Sequence, residues 1–146
     1  MEMKEFLSYT SEDCERDGIS YSVSEYSQKL CVDGKFVGAI IFEDRQIKIN
    51  EVIIEQETDI NLKNYYKIVN NTKSLYLRKI IFNEDDKYIG MLEDLFDNCV
   101  NHLPKWSLIW TQPNVWDVNN YTSQLNFTKP MYPLPNKNIM FFSNCV

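Results

Sequence analysis

Alanine occurs once in the 146 residues, at Ala39, histidine once, at His102, and glycine four times. The four cysteines, Cys14, Cys31, Cys99 and Cys145, form no C-x-x-C pair, and a single histidine cannot complete a ligand set around them. Zinc-type spacing is therefore excluded, no metal is expected, and the cysteines read as free thiols of a reducing compartment. The five prolines, Pro104, Pro113, Pro130, Pro133 and Pro135, all fall in the last third, and no Gly- or Pro-rich linker, repeat or low-complexity stretch divides the chain. One domain spanning residues 1–146 is expected. The apolar run Phe36 to Phe42 is far below the ~18–20 residues of a membrane span, and MEMKEFLSYTSED has no apolar core of signal-peptide type. A cytoplasmic protein without membrane contact is expected. Basic residues are also in deficit, 15 against 21 acidic for a net charge of −6, which leaves no field to attract a nucleic-acid backbone.

The chain does have the 44% hydrophobic and 25% charged residues of a globular protein. In Ile19 to Phe42, Tyr, Val and Ile residues flank Asp33-Gly34, which predicts strand, tight turn, strand. Gln46 to Glu55 (QIKINEVIIE) alternates at Ile47 and Ile49 before Val52, Ile53 and Ile54, and reads as a third, antiparallel strand. Leu62, Tyr65, Tyr66 and Val69 give Asn61–Asn71 one apolar helical face. Leu75–Phe82 reads as a strand, followed by the polar turn Asn83–Asp86. Ile89, Leu92, Leu95, Phe96, Cys99, Val100 and Leu103 then fall on one helical stripe that Pro104 ends. Ser107–Thr111 reads as a strand, Trp116–Leu125 as a helix closed by a left-handed Asn126, and Lys137–Phe142 as a last strand. The result is a mixed α/β (α+β) domain whose parallel pair, Leu75–Phe82 and Ser107–Thr111, is joined by a crossover helix.

A strand-to-helix junction leaves unpaired N–H groups at the positive end of the helix dipole, a natural phosphate cradle. Here it is Lys87-Tyr88-Ile89-Gly90-Met91-Leu92. Gly90 removes a Cβ from the approach and Lys87 adds charge. The same residues read equally as a packing accommodation at Gly90 and a solvated lysine beside Glu84, Asp85 and Asp86. Trp106, Trp110 and Trp116 read as core or cleft wall, since no basic residues interleave them, and His102 as a charge at a helix end.

Phe82 to Leu92 resembles, without a gap, the strand-to-helix segment of the GNAT superfamily of N-acetyltransferases, whose signature is Arg or Gln, two residues, Gly, one residue, then Gly or Ala. Lys87 stands at the first position, Gly90 at the central one, and Leu92 where the family has Gly or Ala. Leu95-Phe96, the strand Ser107–Thr111 and Asn114 continue the likeness. Tyr121-Thr122-Ser123-Gln124-Leu125-Asn126-Phe127 is similar to the closing Leu-Tyr-x-x-x-Gly-Phe, with Thr122 on the usual tyrosine and Asn126 on the glycine. Lys29–Phe42 looks like the family's second strand.

The resemblance implies a mixed central sheet of about six or seven strands, with antiparallel N-terminal strands and a splayed parallel pair. It also implies acetyl coenzyme A as donor. The pantetheine arm would pair with the backbone of Ile80, Ile81 and Phe82, and the diphosphate would lie on Lys87, Tyr88, Ile89, Gly90, Met91 and Leu92, with Asn114 assigned to the same cofactor. Tyr121, one residue off the family's tyrosine, would protonate the leaving thiolate. Glu55, with Glu43 behind it, is the candidate base. The implied reaction is transfer of an acetyl group to an amine of a small molecule or protein. The alternative is a relative that binds without catalysing, and an unrelated α/β domain is the third reading. The 14% aromatic content, with Tyr132 and Phe141 near the end, suits a monomer or a homodimer.

Overall fold

The computed structural model describes residues 2–112, 118, 120–135 and 138–142. Among the described residues, seven strands form one mixed sheet in the order β1-β2-β3-β4-β5-β7-β6, accompanied by the four helices α1–α4. The chain gathers into two compact units, Met1–Asp44 with Leu77–Pro104, and Arg45–Tyr76 with Lys105–Val146.

The first unit opens with two elements the sequence reading did not name, β1 (Lys4–Ser8) and α1 (Ser11–Arg16). Thr10 caps α1 in a reciprocal box: its hydroxyl accepts from the Asp13 N–H, and the Asp13 carboxylate accepts from the Thr10 N–H. β2 (Gln28–Val32) and β3 (Lys35–Glu43) form the expected hairpin, turning through Asp33 at φ 52 and Gly34 at φ 79. The first strand starts at Gln28 rather than Ile19. Before it, Ser27 pairs with Phe42 through its hydroxyl, which accepts from Phe42 N–H at 2.8 Å, so a side chain takes the place of a ladder.

β4 (Ser74–Phe82) begins in the second unit and ends in the first. A short 3₁₀ turn, Asp86–Tyr88, leads to α4 (Met91–His102). The helix buries Met91, Leu92, Leu95, Phe96 and Cys99 and packs on β2 and β3. Ile89, expected on its stripe, precedes the helix and is 77% exposed. The helix stops at Leu103, whose extended ψ of 153° is the conformation favoured before Pro104. His102 Nδ1 lies 2.7 Å from the Asn98 carbonyl oxygen, at the helix end as expected.

In the second unit the expected strand over Gln46–Glu55 is absent: residues 45–50 belong to no regular element, and Glu51–Gln56 is a helix, α2. Asn50 caps it by accepting from the Val52 N–H at 2.8 Å, so a local cap overrides the β-branched Val52-Ile53-Ile54 run. α3 (Ile60–Asn71) matches the expected helix and starts at Asp59, whose carboxylate accepts from the Asn61 and Leu62 N–H groups. β5 (Leu108–Thr111) runs parallel to β4, with Ser74 opposite Leu108, Leu75 opposite Ile109 and Tyr76 opposite Trp110. β4 itself continues to Phe82.

Part of the expected helix Trp116–Leu125 falls outside the described residues, Trp116 included; residues 120–126 are a run of turns. They close as a Schellman motif: Phe127 N–H donates to Thr122 O, Asn126 N–H donates to Ser123 O, and Asn126 sits at φ 63. β6 (Phe127–Thr128) and β7 (Met140–Phe142) complete the sheet, and the expected strand start at Lys137 lies outside the described residues. Tyr76, Trp110, Leu134, Ile139 and Phe141 are among the core of this unit. Trp106, expected in core or cleft wall, is 90% exposed at φ 67.

Candidate functional site

The turn after β4 is tied down by its own short polar side chains. Asn83 Oδ1 accepts from the Asp85 N–H, and Asp85 Oδ1 accepts from the Lys87 N–H. Tyr88 and Ile89 N–H groups donate to the Asp85 and Asp86 carbonyls. These bonds deliver the chain to Gly90, the N-cap of α4, at φ 83 with no side-chain cap. A Cβ built on Gly90 would meet nothing within 4 Å, so the helix start is open on that side. The glycine therefore serves the left-handed backbone, not a packing contact.

The side chains around this backbone cradle carry mostly negative charge. Glu84, Asp85 and Asp86 are exposed, and Glu93 and Asp94 lie in the first turn of α4, where Asp94 pairs with Lys4 at 3.1 Å. The Lys87 ammonium lies 5.2 Å from the centre of the Tyr88 ring. Tyr88, Met91 and Leu92 are buried, and the Lys87, Tyr88 and Ile89 N–H groups are spent within the turn, so the open backbone lies from Gly90 onward.

Asn83 N–H donates to Val37 O at 2.8 Å, which fixes how β4 presents its edges. By the two-residue period of a strand, the polar groups of Ile81 also face β3, while those of Ile80 and Phe82 face the opposite edge. Ile80 and Phe82, rather than all three residues, are the backbone groups turned away from β3. At the end of β3, Glu43 stands 3.8 Å from an Arg78 guanidinium nitrogen, and that guanidinium lies over the Tyr21 ring at 4.4 Å. Arg78 and Tyr21 are 57 residues apart in the chain, so no local pattern brings them together.

Tyr121 and Glu55 belong to the second unit, whereas the Gly90 turn belongs to the first. Tyr121 is half-buried in the run of turns, where its carbonyl accepts from Leu125 N–H. Glu55 was expected at the end of a strand; it sits on α2, exposed. Asn114 lies outside the described residues.

The second unit also contains a cleft of about 710 Å³, unforeseen in the sequence, bounded by Ile47, Ile49, Trp110, Leu134 and Ile139 with Lys48 among its lining. Among the described residues no group of three His, Cys, Asp or Glu side chains is placed to hold a metal ion, and no helix is long and apolar enough to cross a membrane. Cys14, Cys31 and Cys99 are free thiols, and Cys145 lies outside the described residues. No protein-family model matches the chain, and no curated protein matches its sequence.

Proposed function

We propose that the chain is an N-acetyltransferase of GNAT type that takes acetyl coenzyme A as donor and an amine of a small molecule or protein as acceptor. The observation that carries this reading is the β4–α4–β5 unit: a parallel pair joined by one helix whose start, at left-handed Gly90, is open to a ligand. Such a start offers backbone N–H groups and the positive end of a dipole to a diphosphate.

The donor supplies a thioester; the chain must supply alignment, a neutral amine and a proton for the thiolate. An alkylammonium loses its proton near pKa 10.4 and a thiol near 8.5, so a base and an acid each aid the reaction by about 10²–10⁴. In this reading Tyr121 donates the proton as the C–N bond forms and the C–S bond breaks. The net charge of −6 suits a cationic acceptor. The carboxylates around the Gly90 turn favour a second reading, in which the fold is kept for binding and acyl transfer is lost.

The test is thermal unfolding with and without acetyl coenzyme A, followed by acyl transfer to a panel of polyamines and lysine peptides. A ligand at 100 times its Kd adds about 2.7 kcal/mol, several degrees for a domain of this size. A shift with turnover supports the enzyme, a shift without turnover supports the binding protein, and no shift in a folded chain overturns both.

A further inference from the structure

The cleft of the second unit is built from a segment with no regular secondary structure, yet its backbone is held along its length. Ile47 N–H donates to Ser74 Oγ at 3.2 Å, Ile49 N–H to Asn70 Oδ1 at 2.6 Å, and Asn70 Nδ2 returns a bond to Ile49 O at 2.8 Å. Gln46 uses both ends of its amide, donating to Thr72 O at 2.6 Å and accepting from Ser74 N–H at 3.1 Å. Trp110 Nε1 donates to Arg45 O at 3.0 Å, so the indole N–H is spent on the wall itself. Four side chains, of Gln46, Asn70, Ser74 and Trp110, thus stand in for a partner strand and hold the segment with Ile47 and Ile49 buried. A cavity fixed before binding loses little freedom when a ligand enters.

What the walls offer a ligand is apolar surface from Ile47, Ile49, Trp110, Leu134 and Ile139, the polar residues Gln46 and Asn50, and one charge. Lys48 is the single charged residue among the described lining residues, and it is exposed. The volume of about 710 Å³ is within the range of small-molecule sites, roughly 300–1,000 Å³. We infer that this cleft is a binding site for a small apolar carboxylate, an aryl-alkyl or branched acid whose body packs on Trp110 and the isoleucines while its anion meets Lys48. The inference stands apart from the acyl-transfer reading, since every residue it uses lies in the second unit.

The test is titration calorimetry on the full chain with 4-phenylbutyrate, 4-phenylbutanol and 4-phenylbutylamine, which share one apolar body and differ in charge. The expected result is saturable one-site binding of the acid, at least tenfold weaker binding of the alcohol, and weaker still of the amine. Ile53→Trp would fill the cleft from a position that lines it and is 41% exposed, and should abolish binding of the acid. Lys48→Glu, on an exposed side chain, should weaken the acid at least tenfold and keeps the test decisive if the tryptophan variant does not fold. No binding of the acid to the folded parent, equal binding of the three probes, or undiminished binding by Lys48→Glu would each overturn the inference.

Discussion

Gly38 on β3 lies against Ile81 on β4 so closely that a Cβ at Gly38 would stand 2.6 Å from the Ile81 carbonyl oxygen, and equally near Phe82 Cδ1. The Phe82 ring can turn away; the Ile81 carbonyl belongs to the backbone. Gly38→Ala should therefore cost about 1–3 kcal/mol, as overpacking of a fixed interior does. Urea unfolding would show it as a lower midpoint at unchanged slope. A variant as stable as the parent would mean that β3 and β4 separate freely there.

Asp13 is almost wholly buried, where desolvation alone would raise its pKa. Bonds from the Thr10 N–H at 2.8 Å and the Lys29 ammonium at 2.9 Å outweigh that cost and bring the carboxyl down from 3.8 to about 2. A lowered folded-state pKa means stability that is present above the ordinary value and is lost as pH falls through about 2. The lost stability is about 2 kcal/mol. Comparing the parent with Asp13→Asn between pH 5 and 2 isolates it from other carboxyls: the parent's advantage should shrink as pH falls. An advantage that held constant would remove Asp13 from acid unfolding.

Asn70 holds Ile49 by both backbone groups, at 2.6 and 2.8 Å. Asn70→Ala leaves a part-buried N–H and carbonyl without those partners and should cost about 1–3 kcal/mol. It also frees one wall of the cleft, so 4-phenylbutyrate should bind several-fold more weakly to the folded variant. Unchanged affinity in a destabilised variant would show that the wall is set by Ser74 and Gln46 instead.

The elements legible in the sequence are those whose cause is local. Asp33-Gly34 fixes its hairpin by backbone conformation, and the buried face of α4 repeats at helical spacing. Asn126 at φ 63 closes its turn as read. α1 had a readable signal in Thr10 and Asp13, while β1, with mostly exposed residues, had no apolar alternation to read. In residues 46–50 Ile47 and Ile49 are buried as a strand pattern predicts, but side chains of Ser74 and Asn70 replace the partner strand. That pairing spans 27 and 21 residues, which no local pattern encodes. Glu55 therefore stands on an exposed helix and not at a strand end, because the cap at Asn50 and these distant partners together decide the course of the segment.

Tyr121→Phe tests the proposed acid with a change of one hydroxyl. If the phenol protonates the leaving thiolate, kcat should fall about 10²–10⁴-fold. The thermal shift given by acetyl coenzyme A should be unchanged, because the proton is needed only as the C–S bond breaks. A loss of binding with turnover preserved per bound donor would make Tyr121 part of the binding surface instead.

Gly90→Asp separates the two roles that the start of α4 can play. The left-handed backbone at φ 83 penalises most side chains but tolerates Asp, and the Cβ would meet nothing within 4 Å. A carboxylate at the N-cap can accept from the first-turn N–H groups that have no side-chain cap in the parent. The strain and the new cap offset each other, so stability should change by no more than about 1 kcal/mol. The same carboxylate would occupy and repel the position proposed for the diphosphate. Thermal unfolding should therefore show a nearly unchanged midpoint without ligand and no shift with acetyl coenzyme A, in contrast to the parent. A variant that folds and still responds to the donor would move the diphosphate away from this helix start, and with it the feature on which the acyl-transfer reading rests.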